Sequence, residues 1–400
     1  MMKRVAGHSR GLVLQWGPHR FYLDTVLLSA SMGLLVLGYI MVASASLHLG
    51  EKLADDSFYF PRHQLVHIVM GLVAGLAVAS QKLEVWRNSY RILFLAGLAL
   101  LLLVLVPGLG KSVNGSSRWL SLFIIRIQVS EVFKLIAVIY MANYIATRMD
   151  LVRSSVVGML FPLGLLSVAG LLLLLEPDFG ATAVIMATAL GMLFLAGARL
   201  WQFGILMGAV GVLGSVLILF SSYRLKRVSS FLNPWADEDD SGYQLTQALI
   251  AFGRGEWAGV GLGSSVQKLF YLPEAHTDFL FSVIGEELGL VGACSVIALF
   301  CVIVWRAFVI GRLATRLGDR FGAFLAYGVG IWFGLQAFIN MGVNMGMLPT
   351  KGLTLPLMSY GGGSMMVMCA ALALLFRVRS EVMENYSGAP RPRSPWVHGS

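Results

Sequence analysis

The run Tyr271-Leu-Pro-Glu-Ala-His-Thr-Asp278 closes a polar stretch and passes at once into an apolar segment starting at Phe279. A carboxylate at such a boundary is partly withdrawn from water. Its charged form is then disfavoured, which moves its pKa toward the range a general base needs. Asp278 equally suits a helix cap, since Thr277 and Asp278 both accept from helix-start amides. The two readings are compatible, and residue chemistry alone leans to the cap. Glu286 and Glu287 lie about two turns further in, where an acid is costly unless partnered; an interhelical ion pair is expected.

A second group is Arg118-Trp119 followed by Arg126-Ile-Gln-Val-Ser-Glu131-Val-Phe-Lys134. Lys134 lies inside the start of an apolar segment. It pairs there with Glu131 three residues earlier on the same helical face, or it joins Arg118 and Arg126 as a cationic cluster for an anionic head group such as a diphosphate. A third group is Leu348-Pro-Thr-Lys351-Gly-Leu-Thr-Leu-Pro356, then Ser359-Tyr-Gly361-Gly-Gly-Ser364. Proline and glycine break the helix there. Irregular backbone at membrane depth is tolerated only where it is buried in protein or lines a wet cavity, so a cavity edge beside Lys351 is weighed against close helix packing through glycine. Gln336, Asn340 and Asn344, four apart, fall within an arc of about 80° on one helix. They suit interhelical hydrogen bonds first and a substrate groove second. Glu176-Pro-Asp-Phe-Gly180 reads as a tight turn ahead of a helix, and the acidic run Asp237 to Asp240 most simply as a solvated loop, with a weak cation site as the alternative.

The elements that must position these groups follow from composition. Of 400 residues 57% are hydrophobic and 13% charged, about half the charge of a soluble domain. Apolar runs reach the roughly 20 residues that cross a bilayer. The fold class read is an all-α polytopic membrane protein with ten transmembrane helices, at about 24–46, 62–80, 91–107, 130–147, 154–175, 179–197, 200–222, 279–305, 321–345 and 361–377. With both termini and alternate connectors inside, that side holds 18 of the 30 Lys and Arg and six of the 21 Asp and Glu. The other side keeps 12 basic and 15 acidic residues. The bias gives an N-in, C-in topology and puts the suspected chemistry outside.

The net charge of +9 does not indicate nucleic acid, because the basic residues sit in short connectors. Cys294, Cys301 and Cys369 fall in apolar segments and read as small hydrophobes, and no residue set reads as a metal site. No cleavable leader is evident. Residues 1–23 read as a cytoplasmic tail, 24–379 as the membrane domain and 380–400 as a disordered cytoplasmic tail. The large outer loop between spans 7 and 8 covers 223–278, and its Tyr243–Phe252 piece reads as an interfacial or re-entrant helix.

Together these segments resemble the SEDS family (shape, elongation, division and sporulation) over nearly the whole chain. The resemblance rests on Gly115 to Trp119, Arg126-Ile-Gln with Lys134, Glu176 to Gly180, Leu272 to Phe279 and Leu348 to Pro356, in that order. Gly261-Leu-Gly-Ser-Ser-Val-Gln-Lys268 before Leu-Pro-Glu-Ala resembles the division branch rather than the elongation branch. Ser121 and Val129 depart from common family residues, away from the presumed catalytic position.

The resemblance implies a ten-span glycosyltransferase of the cytoplasmic (inner) membrane at the division septum that polymerises lipid II into peptidoglycan. It implies a division-specific class B penicillin-binding protein and other divisome membrane proteins as partners. Asp278 is the implied general base. Arg118, Arg126, Lys134, Lys268, His276, Lys351, Ser359 and Gly361 are the implied substrate-binding residues. No cofactor is required by this reading, and a divalent cation, Mg or Mn, at the diphosphate stays open. A lipid II flippase and a non-catalytic divisome scaffold are the rival functions.

Overall fold

The computed structural model describes residues 12–16, 19–107, 110–113, 116–122, 125–237, 242–269, 271–349 and 352–388. Helices dominate it: α1 (Thr25–Ala54), α2 (Tyr59–Ser80), α3 (Leu83–Leu105), α4 (Val129–Ser154), α5 (Val156–Leu175), α6 (Phe179–Leu195) and α7 (Leu200–Leu219) come first. Then follow α8 (Ser222–Leu232), α9 (Tyr243–Gly255), α10 (Leu280–Arg316), α11 (Arg320–Asn344) and α12 (Gly362–Gly388). Each of the ten apolar segments read from the sequence contributes a helix. Seven of these, α1 to α5 with α10 and α11, are long and apolar enough to cross a bilayer.

Packing divides the helices by role. Nearly every residue of α4 from Val129 to Ile145 is buried, so this helix is the axis of the bundle, with α3, α5, α6 and α11 against it. By contrast α2 and α3 leave Leu65, Val69, Val73, Leu76, Ile92 and Leu95 exposed. An exposed apolar belt of this extent belongs against lipid rather than water. The chain is thus an integral membrane protein. Its helix α2 lies along α12, and α10 lies along α11.

Three features depart from the sequence reading. Residues read as an N-terminal tail include a hairpin, β1 (Leu12–Trp16) with β2 (His19–Leu23), and Tyr22 N donates to Ser380 Oγ at 3.1 Å. The connector after α3 is a three-stranded antiparallel meander, β3 (Gly110–Val113), β4 (Ser116–Leu122) and β5 (Ile125–Gln128), so the fold is nearly all-α rather than all-α. Ile125-Arg-Ile-Gln alternates apolar and polar at the strand period, a signal too short to see between long apolar runs. Finally, residues 380–388 continue α12 as helix and are not tail. Residues 389–400 and most of the acidic run 237–240 lie outside the described residues.

One end of the bundle gathers the charged connectors. Asp24 caps α1 by accepting from Leu27 N at 3.1 Å, and its carboxylate is ion-paired with Arg306. Arg379 Nε lies 4.0 Å from the same carboxylate, and Glu381 accepts from Leu83 N at 2.9 Å and from Arg377 at 2.7 Å. The motifs singled out for chemistry meet at the opposite end.

Candidate active site

The 272–279 segment is a chain of turns leading into α10, and Asp278 is half-buried at its end. The first residue of α10 is Leu280, and the cap position before it, Phe279, offers no side-chain hydrogen bond. The Asp278 carboxylate faces the 352–361 segment: a Cβ built on Gly352 would lie 3.0 Å from Asp278 Oδ2. Glycine at 352 lets the two segments approach that closely.

The polar stripe of α11 holds both segments. Asn340 Nδ2 donates to the backbone carbonyl of Asp278 at 2.8 Å and to that of Leu353 at 2.6 Å. Asn344 Nδ2 donates to the Asp278 carbonyl at 3.0 Å, while its Oδ1 accepts from Ser282 N and Oγ at 3.0 and 2.7 Å. Gln336 Nε2 donates to Thr354 O at 3.0 Å. The stripe makes the interhelical bonds expected of it, Asn344 with Ser282 of α10 and Gln336 with Lys134 of α4, and it also donates to loop carbonyls; the i, i+4, i+8 spacing is the signal for both.

Ser359 and His276 belong to the same assembly. Ser359 Oγ accepts from Leu355 N at 2.8 Å and donates to Thr277 O at 2.6 Å. Tyr360 N donates to His276 O at 3.0 Å. The His276 ring sits 5.0 Å from Phe60 and 5.4 Å from Tyr360, centroid to centroid. Burial pushes its pKa below the ordinary histidine value, against a smaller opposing pull from Glu274; the imidazole is neutral at pH 7. Gly361 is half-buried just ahead of α12.

Two of the expected substrate cations are placed differently. Lys134 is buried, its Nζ 2.7 Å from Glu131 Oε1 and 2.6 Å from Gln336 Oε1, with the ring of Trp332 5.6 Å away. Trp332 Nε1 donates to the same Gln336 oxygen at 2.9 Å. Lys134 thus forms the ion pair expected with Glu131 and is joined through Gln336 to the stripe. Lys268 is likewise buried, 2.7 Å from Glu287 Oε1 and 3.0 Å from Ser44 Oγ, in an ion pair between the outer loop and α10. Both pairs have one cause: buried from water, an ammonium without a carboxylate is too costly to keep.

Glu286 and Glu287 have the expected partners, with a further role. Within α10 the backbone breaks at Gly289, φ 64° and ψ −162°. Freed groups there are taken up by the 255–261 loop: Val260 N and Gly261 N donate to the carbonyls of Glu286 and Glu287. Leu290 N and Val291 N donate to those of Glu256 and Trp257. The Glu286 side chain accepts from Ser265 Oγ, from Val266 N at 3.1 Å and from Gln267 N at 3.3 Å, and Arg254 lies 3.4 Å from it.

The 176–180 turn is structural, as read. Asp178 caps α6 through Ala181 N at 3.1 Å and accepts from Ser130 Oγ at 2.9 Å, which ties the start of α4 to the site. Arg118 and Arg126 lie on strands β4 and β5, β5 running directly into α4; their side chains, and Lys351, lie outside the described residues.

The site is therefore one carboxylate at the meeting of two pinned loops. Residues 25–384 match the family model described as FtsW/RodA/SpoVE cell cycle protein. The chain belongs to this family. It is 71% identical over 96% of its length to "Probable peptidoglycan glycosyltransferase FtsW" of Methylococcus capsulatus, covering 96% of that protein. It is 61% identical over 94% to the protein of the same name from Methylomonas methanica, covering 97% of it. Among solved structures it resembles a chain of "Structural coordination of polymerization and crosslinking by a peptidoglycan synthase complex". The TM-score is 0.74 at 26% identity, over 92% of this chain and 99% of that one. The fold is also that of the rod shape determining protein RodA of Thermus thermophilus, with a TM-score of 0.64 at 24% identity, over 89% of this chain and 96% of that one.

Proposed function

We infer that this family member is a peptidoglycan glycosyltransferase of the division type, which joins lipid II units into glycan strands with Asp278 as general base. The observation that carries the assignment of the base is the contact of the Asp278 carboxylate with Gly352, where two loops are held by the amides of one helix. The high identity to proteins named for this activity supports the reaction class.

In the reaction the acceptor sugar hydroxyl gives its proton to Asp278 as its oxygen attacks the anomeric carbon of the donor. The bond from that carbon to the lipid diphosphate breaks, and the diphosphate leaves with the bonding pair. One displacement inverts the carbon, and no second nucleophile is called for. Arg118 and Arg126, on the strands before α4, and Lys351, next to Gly352, are the cations assigned to the leaving group. Neutral His276 and Gly361 line the same mouth. Among the described residues no group of three or more His, Cys, Asp or Glu is arranged to hold a metal ion. A Mg or Mn ion is proposed as a companion of the leaving diphosphate.

Ten spans with both termini in the cytoplasm place this site on the outer face of the inner membrane. The gathering of Asp24, Arg306, Arg377, Arg379 and Glu381 at the opposite end supports that direction. The partner in this reading is a division-specific class B penicillin-binding protein that cross-links the product at the septum, alongside other divisome membrane proteins.

The test is polymerisation of purified lipid II by the full chain with its partner. Asp278→Ala and Asp278→Asn are expected to abolish strand formation, a loss of at least about 100-fold. Strands of normal length from either variant remove Asp278 as base. Translocation of lipid II across vesicles without polymerisation would favour the flippase, and polymerisation by the partner alone the scaffold.

A further inference from the structure

We propose that Asn340 is a positioning residue for Asp278. In this proposal Gln336, Asn340 and Asn344 form a ladder that sets the distance between the 272–279 and 352–361 segments. It rests on the reading of Asp278 as the base.

Amide side chains inside a membrane bundle more simply tie helices together. Here the donors do something else. Asn340 places one nitrogen on two carbonyls, of Asp278 and Leu353, which belong to different loops. A single planar group therefore fixes where one loop sits relative to the other. Leu353 is the neighbour of Gly352, where an added Cβ would lie 3.0 Å from the Asp278 carboxylate. The two anchored carbonyls thus flank that contact on both sides.

The rungs above and below repeat the arrangement. Asn344 donates a second time to the Asp278 carbonyl and accepts from Ser282 in the first turn of α10. The reacting residue is held from both its own carbonyl and the helix that follows. Gln336 holds Thr354 O, one residue beyond Leu353, and accepts from Lys134. The Lys134–Glu131 pair of α4 is thereby joined to the ladder without touching the site.

The loops need such anchoring. Glu274 and Leu357, neither of them glycine, adopt φ of 56° and 64°. Such conformations persist where the surroundings over-determine them. A displacement of roughly 1 Å at a reacting group can cost on the order of 100-fold in rate.

The experiment uses the full chain with its partner and purified lipid II, with kcat and KM measured separately for Asn340→Leu and Asn340→Asp. The second keeps the volume and removes both donors. Expected is a fall in kcat of about 10- to 100-fold with KM within roughly threefold, measured on variant protein that remains folded in detergent at the assay temperature. Asn344→Leu is expected to give a smaller fall, because Asn340 remains. Normal kcat in either folded Asn340 variant, or a loss carried wholly by KM, overturns the proposal.

A second readout does not depend on catalysis. In a chain with its three cysteines replaced, Asp278→Cys is labelled with a water-soluble maleimide, with and without Asn340→Leu. An altered labelling rate shows that Asn340 places residue 278 whether or not Asp278 is the base. An unchanged rate overturns the positioning role. Active Asp278→Asn with altered labelling would sink the base and leave the ladder.

Discussion

Two buried polar networks lie side by side in this bundle, one on α11 and one at the break in α10, and they are made of opposite chemistry. The α11 network is neutral amides, Gln336, Asn340 and Asn344, and it holds backbone carbonyls. The α10 network is carboxylates, Glu286 and Glu287, with Lys268, Arg254 and Ser44, and it holds backbone amides of the 265–267 stretch. Ionised carboxylates only accept, so they suit a loop that turns its N–H groups inward; carboxamides can donate and so suit loops that present carbonyls. Charge is kept away from the Asp278 carbonyl and concentrated where it closes on itself. The neutral ladder can therefore surround a reacting carboxylate without adding an acid beside it.

The sharpest way to break the comparison is to strip charge from one network and hydrogen bonds from the other. Lys268→Met leaves Glu287 buried without its cation and is expected to destabilise the chain by about 3–5 kcal/mol. Lys268→Met combined with Glu287→Leu should recover most of that loss. Denaturation of the detergent-solubilised protein measures both, and an additive double variant would contradict a closed pair.

In the neutral network the expected stability effect is smaller. Asn344→Leu removes the acceptor of Ser282 N and one of two donors to Asp278 O. A cost of about 1–3 kcal/mol follows from one buried group left unpaired. The same denaturation series checks it, and a loss as large as that of Lys268→Met would remove the distinction between the networks.

Gly352→Ala should cost less stability still but show in rate. The added Cβ, 3.0 Å from Asp278 Oδ2, pushes at the carboxylate and not at the core. A several-fold fall in polymerisation with unfolding little changed is expected, on the order of 1 kcal/mol in barrier.

The smallest effect is acid sensitivity of the site loops. Burial lowers the pKa of His276 in the folded chain, so the unfolded chain binds more protons as pH falls through the ordinary value near 6.5. Stability of the loop is fully present above that pH and declines below it. His276→Gln should flatten this dependence, read as amide exchange of residues 272–279 between pH 7.5 and about 5.5. An unchanged slope would assign the acid response to another group.

Much of the architecture was legible in the sequence because lipid imposes a length rule. Ten apolar runs gave ten helices, Tyr243–Gly255 is a helix where a short one was read, and Glu131–Lys134 paired at helical spacing. The β-meander was not legible. Its strands, such as Ile125–Gln128, are too short for periodicity to outweigh neighbouring apolar runs. Lys268 was not legible as a buried pair either, since Ser44 and Glu287, its partners, are 224 and 19 residues away.

Of the site, the amino-acid sequence by itself determined the residue types, the position of Asp278 at the edge of an apolar run, and the spacing that puts three amides on one face of α11. Those are local properties, set by chain chemistry and helical period. Only the tertiary structure decided that the amides reach Asp278, Leu353 and Thr354, that Gly352 admits the carboxylate, and that Lys134 and Lys268 are spent on Glu131 and Glu287. Each of those depends on which distant segment packs alongside, and a buried polar group takes whichever partner the packing brings within hydrogen-bond reach.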